Sequence, residues 1–404
     1  MNFLFAWRYF RSKKSTTAIN IIAWISVVAI TVGTAALIVV LSVFNGFEDL
    51  VKGLYADFYT DIRIGPAYGK VIQLTPQQID KIKNVGGVAR ISLVAEEKAL
   101  LKNGDYQTIV FIKGVDENYL ATNNIGKHII KGKFDVGTAS TPKLVVGAGI
   151  ENATAIDVTN SLYTLELYLP NRKSTDFNSP DAMNAYNVHP SGTFLVQQDF
   201  DNKYVFSNLP FLKYMLDLKA DEYSSVEIKL DQTNPNSVRS ELKKLLGDKF
   251  VVQTRYEQNQ SLYTVMTVEK WVIYIILSLI LVVAAFNMIG ALTMLVLEKQ
   301  KDIAVLKAMG ATNGNIQKIF MSEGLILAGV GGVSGAILAT TICLLQVKFK
   351  FIKLTGGSFI IDYYPVKLVA SDFILVTATV FLIALLAAWI PSRKASLQEF
   401  SLKS

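Results

Sequence analysis

Residues 271–310 read WVIYIILSLILVVAAFNMIGALTMLVLEKQKDIAVLKAMG, and no other stretch says as much about the architecture. The first part, 271–297, contains no charged residue and exceeds the roughly 20 apolar residues that a helix needs to cross a bilayer. In 298–310, charged and apolar residues then recur with the period of an amphipathic helix. The stretch therefore predicts a membrane-spanning helix followed at once by a short helix on one side of the membrane.

Three further runs contain no charged residue, at 15–47, 324–347 and 373–392. Only 18% of the 404 residues are charged and 51% are hydrophobic, whereas soluble domains carry about 25% charged residues. The first run is about twice as long as the apolar core of a signal peptide and does not end in a small-residue cleavage site. We therefore expect an α-helical membrane protein with four transmembrane helices and no cleaved signal.

The orientation follows from the basic residues beside the runs, since these favour the cytoplasmic side. Four basic residues and no acid precede the first run, and Arg393 and Lys394 follow the last one. Both termini are therefore predicted to be cytoplasmic. The segment 348–372 has more lysines than acids and disagrees mildly with this orientation. The predicted segments are a basic cytoplasmic N-terminus (1–16), spans at 17–47, 271–297, 319–347 and 373–391, a large extracytoplasmic domain (48–270), a short cytoplasmic helical segment (298–318), a short outer loop (348–372) and a cytoplasmic tail (392–404).

The large segment between the first two spans shows a mixed α+β pattern. Residues 61–66 and 70–74 alternate like strands, Thr75-Pro76 begins a helix, and Asn103-Gly104-Asp105 predicts a hairpin turn. A second strand-helix-strand pattern covers 224–256, and a second subdomain is expected at about 145–205. The proline-rich stretch 167–194 predicts a long irregular loop, which is either an ordinary exposed loop or a functional one.

Two features of the spans bear on packing. The helical patterns of spans one and two continue beyond the bilayer length, which predicts long helices that project outward. In the third span, Gly331 and Gly335 lie four residues apart, a spacing that allows close helix contact in lipid. The contact could lie within one chain or between two copies.

Catalytic motifs are missing from the sequence. There is no G-x-x-x-x-G-K-[ST] pattern, so no P-loop is expected. The two histidines are far apart and near no cysteine, which excludes a zinc spacing. The single cysteine, Cys343, lies inside a span, so the outer domain has no disulfide. The net charge of +7 reflects membrane flanks in part and does not indicate nucleic-acid binding. We expect a chain that is not an enzyme and binds no metal or cofactor.

The short helix after span two has two interpretations. Ile303, Leu306 and Met309 fall on one helical face, Gly310 ends the helix, and Asn313-Gly314 is predicted to turn the chain. The helix could lie on the membrane and use its lysines to bind anionic lipid. It could also dock into a groove on a soluble partner. The mixed charge favours docking, although both readings remain open on the pattern alone.

Several stretches closely resemble a known family of membrane proteins. They are VEKWVIYIILSLILVVAAFNMIGALTMLVLEKQKDIAVLKAMGAT (268–312), RYFRSKKS (8–15), ISVVAITVGTAALIVVLSVFNGFEDL (25–50) and IPSRKAS (390–396). The family is that of the lipoprotein-releasing ABC transporter permeases LolC and LolE, within the MacB/FtsX-like permease superfamily. The resemblance covers the whole chain and is densest at the spans. The C-terminal QEFSLKS replaces the longer tail that is usual in the family.

The resemblance implies a multi-pass permease subunit of the bacterial inner membrane. Such a subunit pairs with a second permease, a copy or a paralogue, and with LolD-like ATPase subunits that bind ATP and Mg²⁺. It extracts acylated lipoproteins from the outer leaflet and passes them to a LolA-like periplasmic chaperone. The alternative within the superfamily is a MacB/FtsX-type mechanotransmission permease for peptide or drug efflux or for regulation of a cell-wall hydrolase.

The resemblance also implies site residues, carried over by position. The short helix becomes a coupling helix that contacts the ATPase through Glu298, Asp302, Val305, Leu306, Met309 and Gly310. The lipoprotein cavity would be lined by Val40, Val43, Phe44 and Phe47 and closed by Tyr363 and Tyr364. The chaperone-binding hook would contain Pro170, Asn171, Arg172, Phe177 and Pro180.

Overall fold

The computed structural model describes residues 17–159, 164–171, 182–354 and 363–397. Its α-helices in chain order are α1 (Thr17–Phe58), α2 (Pro76–Lys83), α3 (Tyr119–Thr122), α4 (Ala148–Ala153), α5 (Gln198–Asp201), α6 (Leu209–Met215), α7 (Pro235–Leu246), α8 (Arg255–Gln258), α9 (Gln260–Glu298), α10 (Gln300–Ala308), α11 (Asn313–Phe349) and α12 (Ala370–Leu397). Its strands are β1 (Ile62–Pro66), β2 (Ile72–Gln73), β3 (Val88–Asn103), β4 (Tyr106–Val115), β5 (Ile129–Gly132), β6 (Lys143–Gly147), β7 (Leu165–Pro170), β8 (Met183–Phe194), β9 (Tyr204–Asn208), β10 (Glu222–Tyr223), β11 (Ser225–Leu230) and β12 (Phe250–Thr254).

The described residues form two compact units. The membrane unit consists of 17–50, 264–354 and 363–397, and the inserted unit consists of the described residues in 51–263. In the described part of the chain, α1, α9, α11 and α12 are long and apolar enough to cross a membrane. Four membrane-spanning helices were expected, and four helices of the required kind are present.

All four of these helices exceed the length that a bilayer needs, and the two that flank the inserted unit in the sequence are the longest. α1 has 42 residues and α9 has 39, and at 1.5 Å per residue each measures about 60 Å, roughly twice the thickness of the hydrocarbon core. The prediction of two long helices is therefore confirmed. α9 also runs from Gln260 without interruption up to the short helix α10.

Small residues bring α11 close to α1 inside the membrane unit. A Cβ atom built on Gly331 would lie 2.9 Å from Ile30 Cβ, and one on Gly335 would lie 2.7 Å from Thr34 Cβ. Real Cβ atoms do not approach so closely, so glycine permits this helix contact. The two glycines thus pack against α1 of the same chain.

The start of α11 differs from the sequence prediction. A turn was predicted at Asn313-Gly314, but both residues lie in the first turn of the helix. The side chain of Thr312 accepts a hydrogen bond from Asn315 N and caps the helix, because a threonine oxygen can satisfy one of the free N–H groups there. The turn itself lies earlier, at Gly310, whose φ of +92° favours glycine.

The inserted unit is built on a mixed sheet. Its strand order is β12-β1-β11-β3-β4-β9-β6-β8-β5, and β7 pairs with β3 and β8. β11, α7 and β12 form a split β-α-β unit, since β1 lies between the two strands and is antiparallel to both. Apolar side chains from the sheet and from α2, α6 and α7 fill the core. The α+β prediction for this segment agrees with these elements.

Local signals account for several of the elements. Thr75 and Gln78 form a capping box at the start of α2, with Pro76 in its first turn. The β3–β4 hairpin turns at Gly104, whose φ is +59°. β6, β8 and β9 belong to the same sheet as β4, and the second subdomain expected at about 145–205 stays a prediction.

The prediction of an irregular loop at 167–194 is wrong for most of the segment. β7 and β8 pair as an antiparallel hairpin, with Leu165 opposite Val188 and Pro170 opposite Met183. The prolines are compatible with strands because Pro170 ends β7 and Pro190 adjoins a register shift between β6 and β8. Residues 172–181 of the predicted loop lie outside the described residues.

Candidate functional site

The short helix α10 lies between two breaks in the helical chain. Lys299, with φ −87° and ψ 14°, separates it from α9, and Met309 caps its C-terminal end before Gly310. Lys299 N–H still donates to the Leu295 carbonyl at 3.0 Å, so the backbone turns here without losing its hydrogen bond. α10 is thus a separate element between α9 and α11.

One side of α10 is packed into the membrane unit. Ile303, only 3% exposed, belongs to a cluster with Val296, Ile316, Phe320 and Ala395. The sequence pattern predicted that Ile303, Leu306 and Met309 share one helical face. In the structure Ile303 is buried, whereas Leu306 is half-buried and Met309 is exposed. Burying an isoleucine stabilises the contact by about 2 kcal/mol, so Ile303 anchors α10 to the helices around it.

A polar contact adds to this anchor. Lys307 Nζ donates to the Ser396 carbonyl oxygen at 3.0 Å, which joins α10 to the last turns of α12. Lysine near a helix C-terminus also interacts favourably with the free carbonyls there. Neither Ile303 nor Lys307 was predicted as an anchor from the sequence. The seven-residue spacing of Val296 and Ile303 was the one local signal of a shared face.

The opposite side of α10 presents apolar side chains to its surroundings. Val305 is 59% exposed and Met309 is 79% exposed, and residues four apart on a helix are neighbours. Leu306 is half-buried and Gly310 is exposed. This exposed face, Val305 and Met309 with Leu306 at its edge, is a candidate contact surface.

Two charged candidates flank that face. Asp302 forms an ion pair with Lys299 at 3.4 Å, and Glu298 is half-buried at the end of α9. The Asp302 side chain is 47% exposed and the Lys299 side chain 18%. The carboxylate therefore lies at the surface beside the exposed face.

The candidate cavity residues on α1 form one stripe. Val40, Val43, Phe44 and Phe47 are all half-buried, and their spacing of three, four and seven residues places them on one helix face. Leu41, on a different face, is 1% exposed and belongs to the membrane-unit core. The stripe is therefore an apolar face that the described chain covers only in part.

Tyr363 and Tyr364 are held beside the end of α11. Tyr364 N–H donates to the Ile352 carbonyl oxygen at 3.1 Å, and Gln346 Nε2 donates to the Tyr364 carbonyl at 3.2 Å. The Lys350 ammonium lies 4.0 Å from the centre of the Tyr363 ring, a cation–π distance. The backbone of Tyr364 and the ring of Tyr363 are thus both held beside the end of α11.

The candidate hook lies at the end of the β7–β8 hairpin. Pro170 is the last residue of β7, and Asn171 N–H donates to the Ala182 carbonyl at 2.9 Å, which continues the pairing by one step. Asn184 Nδ2 donates to the Met215 carbonyl and joins β8 to the end of α6. Arg172, Phe177 and Pro180 lie outside the described residues. The base of the hairpin is therefore well anchored.

Two family models match the chain. The model described as FtsX-like permease C-terminal matches residues 274–400, which include α10, α11 and α12. The model described as MacB-like periplasmic core domain matches residues 23–158. The periplasmic region of MacB from Actinobacillus actinomycetemcomitans aligns with 52% of this chain and 94% of its own length, at 14% identity and a TM-score of 0.35. At that score the alignment supports no conclusion.

Full-length relatives carry two related names. The lipoprotein-releasing system transmembrane protein LolE of Haemophilus influenzae is 29% identical over 418 residues, covering 98% of this chain and 97% of the relative. LolC of Neisseria meningitidis is 26% identical over 413 residues, covering 96% and 95%. The similarity therefore includes the four long helices and the inserted unit together. The chain is therefore similar over nearly its whole length to the LolC and LolE transmembrane proteins, and two separate parts of it match the FtsX-like and MacB-like family models.

Proposed function

We propose that this chain is the membrane permease subunit of an ATP-driven ABC transporter that releases lipoproteins. It extracts them from the outer leaflet of the inner membrane and passes them to a LolA-like periplasmic chaperone. The observation that carries this proposal is the end-to-end similarity to relatives that are named for lipoprotein release. The superfamily alternative, efflux or hydrolase regulation, is not better supported.

The proposed placement is a multi-pass protein of the bacterial inner membrane with both termini and α10 in the cytoplasm. The inserted unit is then periplasmic. Two observations support this placement: the basic residues that flank the first and last spans, and the periplasmic domain family that matches residues 23–158.

The proposed role of α10 is docking into a LolD-like ATPase. An exposed valine and an exposed methionine side by side on a short helix are typical of a helix that lies in a groove. Asp302 and Glu298 supply charge beside them, which suits a protein groove better than an anionic lipid surface. We propose that ATP and Mg²⁺ bind to that partner and that hydrolysis occurs on this separate subunit.

A movement of α10 acts directly on the membrane-spanning helices to which it is attached. Ile303 and Lys307 hold α10 to α9, α11 and α12, so a displaced α10 pulls on the inner ends of these helices. α9 is continuous from there to Gln260. A rigid helix transmits a displacement along its whole length, and we propose that ATP-driven closure acts on α9 in this way.

The α1 stripe is the proposed wall of a cavity for the acyl chains. Val40, Val43, Phe44 and Phe47 offer apolar surface, and a partly uncovered apolar face fits hydrocarbon chains without polar contacts. A second permease, a copy or a paralogue, would supply the facing wall. Tyr363 and Tyr364 would close the cavity from the segment before α12.

The β7–β8 hairpin is the proposed hook for the chaperone. Its strands pair at six positions, from Leu165 opposite Val188 to Pro170 opposite Met183, and Asn184 joins β8 to α6. We propose that these contacts fix the part of the hook that lies in the strands. Residues Pro170 and Asn171 form the described part of this hook.

Gentle detergent purification of the tagged chain from its native membrane tests the proposed function. We expect a P-loop ATPase and acylated lipoproteins to co-purify with it. Co-purification of an ATPase with a cell-wall hydrolase, and without lipoproteins, would instead support the regulatory alternative.

A further inference from the structure

Three polar side chains from distant parts of the sequence meet inside the membrane unit. They are Asn45 of α1, Lys270 of α9 and Asp372 in the first turn of α12. Lys270 Nζ donates to Asn45 Oδ1 at 2.8 Å and lies 3.4 Å from Asp372 Oδ1. Asn45 Nδ2 donates to the other carboxylate oxygen, Asp372 Oδ2. Each of the three groups therefore contacts the other two.

The cluster is shielded from solvent. The Asp372 side chain is 7% exposed and the Lys270 side chain 29% exposed, and Asn45 is buried. A buried ion pair is weak evidence for stability, since well-packed apolar residues often serve as well or better. Such a pair instead favours one arrangement of the elements that carry it, because separating the charges leaves one of them buried and unpaired.

α1 and the segment before α12 are joined by further contacts. A Cβ atom on Gly46 would collide with the Pro365 carbonyl oxygen, so this backbone crosses α1 at a glycine. Lys367 N–H donates to the Ser42 carbonyl at 2.9 Å, and Lys367 Nζ pairs with Asp49 at 2.5 Å. α1 and the start of α12 therefore behave as one body at this level.

α9 is joined to that body by Lys270 and, one turn further on, by a hydrogen bond between the Tyr274 and Thr379 hydroxyl groups. Leu281 of α9 fills the space over Gly33 of α1, where a Cβ atom would lie 2.7 Å from Leu281 Cδ2. α1 and α9 are thus in direct contact at the level of Gly33 and Leu281.

We propose that Asn45, Lys270 and Asp372 form a latch that holds α9 against α1 and α12 while the permease is unloaded. Asn45 stands between Phe44 and Phe47 of the α1 stripe in the sequence, so a movement of α9 away from α1 while the cavity takes up acyl chains separates Lys270 from its two partners. The latch sets the balance between the closed and the loaded arrangement. This inference rests on the proposed function, because it concerns the same cavity.

The test uses a variant that removes both charges together. Lys270→Met with Asp372→Asn keeps the side-chain sizes and leaves no lone buried charge, whereas Lys270→Met alone would strand the carboxylate. The matched control is Lys367→Met with Asp49→Asn. It removes an ion pair that also involves α1, but whose side chains are 51% and 60% exposed.

The first measurement is binding of a fluorescent diacylated lipopeptide to the intact complex in nanodiscs. A binding-competent state that is rarely populated weakens the apparent affinity, so the latch variant should bind at least about fivefold more tightly, within the usual range of conformational coupling. The control should bind like wild type. Unchanged or weaker binding by the latch variant would overturn the proposal.

The second measurement needs no cargo. Spin labels are attached at Leu50→Cys on α1 and Val272→Cys on α9, in a Cys343→Ala background. Pulsed electron paramagnetic resonance then reports the distance between the two helices. Without lipopeptide, the latch variant should show a longer or broader distance distribution than wild type and the control. Identical distributions would refute the latch. If the wild-type complex binds no lipopeptide, the proposed function fails, and the distances still decide whether the latch exists.

Discussion

At the scale of single residues, side chains within about one turn of α10 have two different roles. Ile303 is buried among side chains of its own chain, while Val305 and Met309 are exposed. Apolar side chains that stay exposed on a short helix contribute nothing to the fold. Their burial against a partner would stabilise that contact by about 1.5–3 kcal/mol for each side chain. The exposed pair is therefore where coupling can be disrupted without unfolding the chain.

Met309→Asp is expected to abolish cargo-stimulated ATPase activity while the protein still folds and inserts. The substitution places a charge at the centre of the proposed contact and should lower coupled turnover at least about tenfold, the effect of roughly 1.4 kcal/mol. The readout is ATPase activity of the reconstituted complex with and without lipoprotein. Gln300→Asp is the matched control, because it adds the same charge at an exposed position on the opposite side of α10. Normal coupling in Met309→Asp would contradict the docking role.

A second residue gives the inserted unit a pH dependence. Burial is the main cause that raises the pKa of Asp201 from 3.8 to about 6, while hydrogen bonds from Val196 and Gln197 N–H and the nearby His128 oppose the shift. A carboxyl group whose pKa is raised in the folded state stabilises the fold below its unfolded pKa. That stability is lost as the pH rises through about 6.

Asp201→Asn should therefore flatten the pH dependence of unfolding. In the wild type, Val196 N–H donates a hydrogen bond of 2.9 Å to Asp201 Oδ1. The asparagine oxygen can still accept this bond, but the asparagine side chain carries no charge. Between pH 5 and pH 8, the free energy of unfolding should fall by about 1 kcal/mol more in the wild type than in the variant. Thermal unfolding of both proteins across this range is the measurement. Parallel pH profiles would show that Asp201 does not titrate as expected.

At the scale of helices and strands, close contact depends on which glycine faces which neighbour. Gly331 and Gly332 are adjacent on α11, yet a Cβ atom would meet Ile30 Cβ at 2.9 Å at the first position and Val380 Cγ1 at an ordinary 3.6 Å at the second. The same added methyl group therefore has opposite consequences. At Gly331 it must push α1 away, and at Gly332 it fills available space.

Gly331→Ala is expected to destabilise the membrane unit by about 1–3 kcal/mol through overpacking. Gly332→Ala should be neutral or stabilising by up to about 1 kcal/mol, since alanine is the better helix former. Unfolding in mixed detergent micelles compares the two variants with wild type. Equal stability of the two variants would mean that α11 and α1 do not meet as described.

The sequence predicted elements best where a periodic pattern lies within a single element. The four apolar runs, the capping box at Thr75 and the turn at Gly104 are all local signals. The sequence pattern did not predict β7 and β8. Leu165, Leu167 and Leu169 alternate as strand residues do and are all buried, but three prolines and many polar residues favoured a loop. Thr312 was missed as a cap because the following Asn-Gly is typical of a turn.

Contacts between distant positions gave no such signal. Asn45, Lys270 and Asp372 stand more than 100 residues apart in sequence, and each one alone looks like an ordinary polar residue at the end of a span. The burial of Ile303 likewise depends on α11 and α12. The candidate residues for cavity, hook and coupling came from the family resemblance, and their roles stay predictions.

At the scale of the whole molecule, the chain has the parts that the proposed transmission of movement from a partner requires. It has a short helix with an exposed apolar face, a helix of 39 residues that leads away from it, and an inserted unit between the first two long helices. The central claim is that these parts together release lipoproteins.

The most direct measurement is ATP-dependent transfer of a purified lipoprotein from proteoliposomes to a soluble LolA-like chaperone. The proteoliposomes contain this chain with its co-purified ATPase. We predict that the lipoprotein appears bound to the soluble chaperone only when ATP is added, and not when the ATPase is inactivated at its P-loop lysine. ATP hydrolysis at a normal rate with the lipoprotein retained in the membrane, in the presence of the chaperone, would contradict the account.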